Sequence, residues 1–335
     1  MLDEDYMRRA FELASKGKGT VSPNPLVGAV LVFENKIIGE GFHQKSGEAH
    51  AEINAINNSE KSLKGATLYC TLEPCCHSNK KTPPCTKEII KQKISRVVIA
   101  NIDPNPEVAG KGASELEAAG IEVVTGVLSE LGENINKVFF KFIKTGLPYV
   151  HLKQAMTLDG KTASESGDSK WITSSIAREE VHDLRYMYDA VMVGSNTANV
   201  DNPSLTCRKK NEVIKVPKRI IAARSKNLDA NLLLLNDKYK ESTIIVQNNT
   251  NLDNLKEIAS MGITSILLEG GCRLASSFVD DGLVDEVSYY IAPKLMGNGT
   301  PVYSSSKASL MSDSKSITGK WRSLSSGEIV FEGRF

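Results

Sequence analysis

The sequence predicts an α/β protein of two domains. Three observations carry this. The chain has 335 residues, and domains run at roughly 150 residues each. Short apolar runs of strand type alternate with stretches of helical period along most of its length. A connector, Lys144-Thr145-Gly146-Leu147-Pro148, interrupts that alternation, which then restarts. The expected domains are 1–146 and 147–335.

The elements follow in order. Residues 3–16 place Tyr6, Ala10, Leu13 and Ala14 on one helical face, with Gly17 as the stop. Segments 27–33 and 36–42 flank Glu34-Asn35 and read as a hairpin. Then come a short helix at 49–57, a strand at 66–71 and a helix at 86–93 behind Pro83-Pro84. A strand at 96–101, a helix at 113–119 and a strand at 121–125 complete the first part. A hairpin followed by βα units gives a mixed sheet covered by helices. Past the connector, strands are expected at 149–154, 190–194, 219–223, 242–247, 263–268 and 286–292. Helices are expected at 174–187, 252–260 and 273–280, the last entered through Gly270-Gly271.

Composition narrows the function. Hydrophobic residues at 41% and charged residues at 24% exclude a largely disordered chain. Lys+Arg at 41 against Asp+Glu at 40 leaves no basic excess for gripping nucleic-acid phosphates. Aromatic residues at 6% do not suit a base-stacking platform. No apolar run approaches the roughly 18 residues of a membrane span, and the acidic start, Met1-Leu2-Asp3-Glu4-Asp5, is unlike a signal peptide. A cytoplasmic protein is expected, with reduced cysteines. Clustered cysteines there read as metal ligands or catalytic groups. Cys70, Cys75, Cys76 and Cys85 are clustered; Cys207 and Cys272 stand apart.

The strongest motif is His50-Ala51-Glu52, followed by Pro74-Cys75 and later Cys85. Zinc deaminases combine a His and two thiolates as metal ligands with a glutamate that shuttles protons. Glu52 takes the shuttle role in this reading, and His50 and Glu52 both lean over the first turn of a helix. Nine residues separate Cys75 from Cys85, where nucleoside deaminases have two. A closed structural site, with Cys76 or His77 as fourth ligand, is the alternative; it leaves Glu52 without a role.

In the second part no G-x-G-x-x-G occurs, so a Rossmann site is not supported. The candidate is the run Leu267-Leu268-Glu269-Gly270-Gly271-Cys272-Arg273. A strand enters paired glycines and then a helix, whose free N–H groups can receive a phosphate. An ordinary strand–helix turn reads the same way.

Four motifs in the first part, His50-Ala51-Glu52, Thr71-Leu72-Glu73-Pro74-Cys75-Cys76-His77, Thr82-Pro83-Pro84-Cys85 and Asp103-Pro104-Asn105-Pro106, together resemble the bifunctional deaminase–reductase (RibD) family of riboflavin biosynthesis. Asp159-Gly160-Lys161, Trp171-Ile172-Thr173, Leu184-Arg185 and Asp201-Asn202-Pro203-Ser204-Leu205-Thr206 extend the resemblance over nearly the whole chain. It implies a cytidine-deaminase-like, three-layer α/β/α domain, then a dihydrofolate-reductase-like α/β domain. The long Cys75–Cys85 loop is normal in that family, here one residue longer and with Asn79 in place of a customary Gly. The resemblance implies zinc on His50, Cys75 and Cys85, and Asn24 and His77 in the pyrimidine pocket. It implies an NADPH site lined by Ala155, Trp171, Thr197, Asp201, Gly271, Cys272, Arg273, Leu274, Ala275, Ser276 and Ser277. Ser169, Arg185, Leu205, Arg208 and Glu269 would line the substrate site, and Lys153 would lie near the sugar. Ala223 departs from the Asp that many members carry.

The chemistry fits these residue types. Arg185 and Arg208 offer planar forks for a phosphate. Lys153, Asp201 and Glu269 are the candidates for proton delivery and charge stabilisation during reduction; which one gives the proton stays open. The expected function is deamination of 2,5-diamino-6-ribosylamino-4(3H)-pyrimidinone 5′-phosphate and NADPH-dependent reduction of the resulting uracil. The expected partner is that phosphorylated pyrimidine, without nucleic acid or membrane, in a homo-oligomer (dimer or tetramer). The rivals are a nucleic-acid base deaminase with a binding module, and a zinc deaminase with an inactive second domain.

Overall fold

The computed structural model describes residues 2–76, 83–106, 108–224, 227–305 and 307–335. The chain divides into two units, Met1–Gly146 and Leu147–Phe335. The first runs α1 (Asp3–Ser15), β1 (Gly28–Phe33), β2 (Lys36–Phe42), α2 (Ala51–Asn57), β3 (Thr67–Leu72), α3 (Cys85–Lys91), β4 (Arg96–Asn101), α4 (Lys111–Ala118), β5 (Glu122–Thr125), α5 (Ser129–Ile135) and α6 (Lys137–Thr145).

Its sheet has the order β2-β1-β3-β4-β5. β1 runs antiparallel to β2 and β3, while β3, β4 and β5 are parallel, so the sheet is mixed. The hairpin turn has Glu34 and Asn35 both left-handed, at φ 49 and 60, the backbone that matches strand twist in a two-residue turn. Alternation along the strands sorts the core onto two faces. Ala29, Leu31, Leu68, Cys70, Val97 and Ile99 pack with Ala51, Ala55, Ile89 and Leu116 of α2, α3 and α4. Val30, Val32, Tyr69, Val98 and Ala100 pack with Tyr6, Met7, Ala10 and Phe11 of α1. This is a three-layer α/β/α arrangement. Gly41 sets how close α2 lies: a Cβ there would fall 2.3 Å from the Ala55 nitrogen and 2.4 Å from the Ala51 carbonyl oxygen.

The second unit runs β6 (Tyr149–Thr157), β7 (Lys161–Ser164), α7 (Ser175–Met187), β8 (Ala190–Gly194), α8 (Ser195–Asp201), β9 (Cys207–Lys209), β10 (Glu212–Lys215), β11 (Lys218–Ala222), α9 (Leu233–Asn236), β12 (Thr243–Val246), α10 (Asn251–Ser260), β13 (Ser265–Leu268), α11 (Cys272–Asp280), β14 (Glu286–Ala292), β15 (Gly299–Pro301), β16 (Thr318–Ser323) and β17 (Ile329–Arg334). The main sheet has the order β12-β11-β8-β13-β6-β14-β17-β16. Its first six strands are parallel; β17 runs antiparallel to β14, and β16 antiparallel to β17. α10 and α11 cover one face through Leu255, Ile258, Ala275 and Phe278. α7 covers part of the other through Ala177 and Val181, against Tyr290 and Val330.

Most expected elements lie within two residues of these bounds. Two shifts matter: α2 begins at Ala51, with His50 as its N-cap, and α3 begins at Cys85. The expectations omitted α5, α6, β7, α8, β9, β10, α9, β15 and the C-terminal pair β16–β17. Every residue of β16 is exposed, so it lacks the apolar alternation that marks a half-buried strand, whereas α6 does carry an apolar face, Val138, Phe139, Phe142 and Ile143, that the expectations left out.

Candidate active sites

In the first unit, two helix starts and one strand end converge. His50 caps α2, Cys85 opens α3, and Cys75 follows β3 by three residues. His50 Nδ1 lies 3.5 Å from Cys75 Sγ and 3.3 Å from Cys85 Sγ. The three ligand atoms all lie within 4.8 Å of one another, and both cysteines are buried. The thiol pair titrates as a unit. Cys75 ionises first, held down to about 3 by the hydrogen bond from the Cys85 thiol and by His50, while that same bond and then burial push Cys85 up. One imidazole and two sulfurs converging in a dry site suit a soft divalent cation, which alone would let both thiolates coexist.

The supports are built from the same motif. The Glu73 carboxylate accepts the Asp103, Gly110 and Ala113 amides, fixing the start of α4. A Cβ at Gly112 would fall 2.2 Å from the Pro74 carbonyl oxygen, so α4 presses on the Pro74-Cys75 turn. The Thr86 amide donates to the Cys75 carbonyl at 3.2 Å.

Glu52 stands on the first turn of α2, 3% exposed. Burial pushes its carboxyl up, with His50 opposing. Asn24 is held by a buried histidine: its Nδ2 lies 3.0 Å from His43 Nε2, and His43 Nδ1 lies 3.1 Å from the Ala49 carbonyl oxygen. Nδ1–H thus donates to Ala49, and Nε2 accepts from the amide. Cys70 packs in the core. Cys76 is half-buried. His77 lies outside the described residues.

In the second unit a cavity of about 1110 Å³ opens beside the ends of β8 and β13. Its wall includes Lys153, Ala155, Ser169, Trp171, Arg185, Thr197, Asp201, Leu205, Arg208, Glu269, Gly271, Cys272, Arg273, Leu274 and Ser277. Ala275 and Ser276 are not on it. Ala275 belongs to the core, and Ser276 Oγ accepts the Ser304 amide at 2.9 Å. Thr197 Oγ1 accepts the Gly271 amide at 3.2 Å, which joins α8 to the start of α11. Leu205 is buried with φ 50, a left-handed backbone that is costly for a branched residue.

Three charges converge on this wall. Arg185 Nε and Nη2 donate to Glu269 at 2.6 and 2.9 Å, and Nη1 donates to the Thr206 carbonyl at 3.0 Å. Burial would raise the Glu269 carboxyl, but Arg185 and then Lys153 hold it below the usual range. Burial lowers Lys153, partly offset by Glu269. Its Nζ lies 5.5 Å from the centroid of the Tyr290 ring. Sequence reasoning missed His182, Arg178, Asn251 and Asn254, which also line the cavity. Arg178 stacks 4.2 Å over the Trp171 ring. His182 precedes Arg185 by one helical step, which was the available signal. Arg224 lines the cavity after the buried Ala223.

Fold and sites together define a cytidine-deaminase-type zinc-binding domain followed by a second α/β domain with a cavity of dinucleotide size. Residues 1–101 match the cytidine and deoxycytidylate deaminase zinc-binding region, and residues 148–323 match the RibD C-terminal domain. The chain belongs to the RibD family of riboflavin biosynthesis proteins. It is 44% identical to riboflavin biosynthesis protein RibD of Bacillus amyloliquefaciens, over 88% of this chain and 86% of that protein. It is 39% identical to the Escherichia coli RibD, over 89% of each. A crystal form of Acinetobacter baumannii RibD matches 99% of this chain and 98% of its own, with TM-score 0.90 and 35% identity. A diaminohydroxyphosphoribosylaminopyrimidine deaminase/5-amino-6-(5-phosphoribosylamino)uracil reductase of Thermotoga maritima matches equally far, with TM-score 0.88 and 37% identity.

Proposed function

We propose that this chain carries out two successive steps of riboflavin biosynthesis. Residues 1–146 deaminate 2,5-diamino-6-ribosylamino-4(3H)-pyrimidinone 5′-phosphate. Residues 147–335 then reduce 5-amino-6-(5-phosphoribosylamino)uracil to its ribityl product. One observation carries the reading: Glu52 is buried beside the converged His50, Cys75 and Cys85, in a chain whose second unit holds a charged cavity.

In the first step His50, Cys75 and Cys85 would hold the zinc. When bound, zinc supplies the positive charge that makes a water proton labile near neutral pH. Glu52 takes one proton from water and delivers it to the ring nitrogen, then takes the second from the added hydroxyl and delivers it to the leaving amine. A C–O bond forms at the ring carbon that bears the 2-amino group, the exocyclic C–N bond breaks, and ammonia leaves. Asn24, braced by His43, orients the pyrimidine.

In the second step the walls around Thr197, Gly271 to Leu274 and Ser277 would hold NADPH. The fit rests on the cavity's volume and on the Gly270-Gly271 entry to α11, whose free amides suit a phosphate. NADPH, when bound, supplies hydride to C1′ of the sugar. Arg208, exposed on the wall, grips the substrate phosphate. Lys153, Asp201 and Glu269 surround the sugar, supplying a proton and negative charge for the developing cation. An inactive second domain would have no use for Lys153 and Glu269 turned to one cavity.

Self-association belongs to the reading. β16 is an edge strand of the main sheet and is exposed throughout, so its outer backbone groups can meet a second copy. Among the described residues no helix is long and apolar enough to cross a membrane.

The test is product analysis from the diaminopyrimidinone. Without NADPH, the deaminated uracil and ammonia should accumulate; with NADPH, the ribityl product should form. A second unit that never oxidises NADPH would overturn the reductase half.

A further inference from the structure

His182 has no part in the chemistry above. It lies on α7, three residues before Arg185 and so on the same helix face. It lines the cavity with Arg185, Arg208 and Glu269. Three consecutive residues, Thr206 and the first two of β9, are tied to that helix face. Arg185 Nη1 donates to the Thr206 carbonyl at 3.0 Å. The Cys207 thiol donates to the His182 carbonyl at 3.0 Å. The Arg208 amide donates to His182 Nδ1 at 3.2 Å.

The last bond decides the tautomer. A ring nitrogen that accepts carries no hydrogen, so the neutral imidazole has its hydrogen on Nε2. Protonation would set an N–H donor against the Arg208 amide. It would also add a third cation beside Arg185 and Arg208. Burial first, and then those two arginines, lower the ring's pKa, with Glu269 opposing. His182 is thus a neutral brace of fixed orientation. The brace is placed where the chain needs one, just after Leu205, whose backbone is held at φ 50. Arg208 itself is exposed, so only its main chain is fixed by these contacts.

We propose that His182 is a positioning residue for reduction: through Nδ1 it holds the Arg208 main chain, so that the guanidinium meets the substrate's phosphate. This rests on Arg208 being the phosphate ligand. It separates two jobs on α7, with Arg185 committed to Glu269 and His182 aiming Arg208.

The test is a cycle between His182 and the phosphate. NADPH oxidation is measured with 5-amino-6-(5-phosphoribosylamino)uracil and with its dephosphorylated form, for wild type, His182→Leu, His182→Gln and Arg208→Ala. His182→Leu should raise KM for the phosphorylated substrate roughly tenfold with little change in kcat, the scale of one lost hydrogen bond. It should not alter kcat/KM for the dephosphorylated one. Glutamine keeps an acceptor without titrating, so His182→Gln should recover most of the loss. An equal proportional loss on both substrates would make His182 a structural brace only and overturn the proposal. So would normal kinetics in His182→Leu while Arg208→Ala raises KM. An unchanged KM in Arg208→Ala would instead overturn the phosphate reading of Arg208, and the proposal with it.

Discussion

Arg185 and Glu269 form a two-bond ion pair, Nε to one carboxylate oxygen at 2.6 Å and Nη2 to the other at 2.9 Å. The two residues are 84 positions apart, one on α7 and the other just past β13. Both side chains are mostly buried, at 13% and 12% exposure. Removing one partner of such a pair strands a charge away from water.

The pair has a pH signature. Glu269 has a folded-state pKa below its ordinary value of 4.5. Its stabilising contribution is therefore present above that value and is lost as pH falls through the depressed one. Thermal melting of the second unit, followed from about pH 6 to about pH 3, should show this loss in wild type. In Glu269→Gln the carboxyl is gone, so the acid slope should be shallower while the melting temperature near neutrality drops. Parallel slopes in both proteins would remove the pair from the account.

For the metal site, one zinc per chain is expected. Cys85→Ser removes one of three ligands, and affinity should fall by more than about 100-fold, since losing even an outer-shell partner can cost 10–100-fold. Metal analysis after dialysis measures it. Full zinc occupancy with normal deamination would point to Cys76, half-buried beside Cys75.

Glu52→Gln keeps the shape of the side chain but cannot carry a proton. Deamination should fall by about 10²–10⁴-fold, the usual weight of general acid–base catalysis, with zinc retained and NADPH oxidation unchanged. A variant keeping more than about a tenth of wild-type deamination would be too active for that role.

What was legible in the sequence was local. His50-Ala51-Glu52 and Pro74-Cys75 reveal themselves because ligand and proton carrier must sit a fixed few residues apart on one helix start. The strands of the first sheet reveal themselves because Ala29 and Leu31 face one layer while Val30 and Val32 face the other. Partnerships across the fold left no such trace. Nothing near Arg185 announces that its fork meets Glu269, and nothing near His182 announces that its ring accepts the Arg208 amide. The pairing of His43 with Asn24 is equally silent, being set by where β2 ends against the turn before β1. β16 escaped for a different reason, since an exposed strand lacks the apolar alternation that is the signal; α6 carries an apolar face, Val138, Phe139, Phe142 and Ile143, and was legible though left out.

Each unit has its own apolar core, one built on β1, β3 and β4, the other on β6, β8 and β13. Residues 1–146 and 147–335 expressed separately should therefore fold, each keeping one half-reaction. Deamination by the first piece and NADPH oxidation by the second are the readouts. Two insoluble or inactive pieces would show that the halves depend on one another.

The reductase site allows a sharper comparison, between a residue that acts in the transition state and one that acts in binding. Asp201 ends α8 on the cavity wall, and Arg208 lies on the same wall, exposed, at the strand that His182 braces. Asp201→Asn nearly preserves volume, so the fold should survive. If the carboxylate faces the charge developing at C1′, its loss should cost about 10²–10³-fold in kcat, the scale of one preorganised electrostatic contact. Arg208→Ala should leave kcat within a few-fold and raise KM, because a phosphate grip formed before the chemistry contributes equally to ground and transition states. NADPH oxidation with the deaminated substrate separates the two, since one variant moves along kcat and the other along KM. Near-normal kinetics in both would place the chemistry on another wall, and a fall in kcat for Arg208→Ala would mean that the phosphate contact also orients the sugar for hydride transfer.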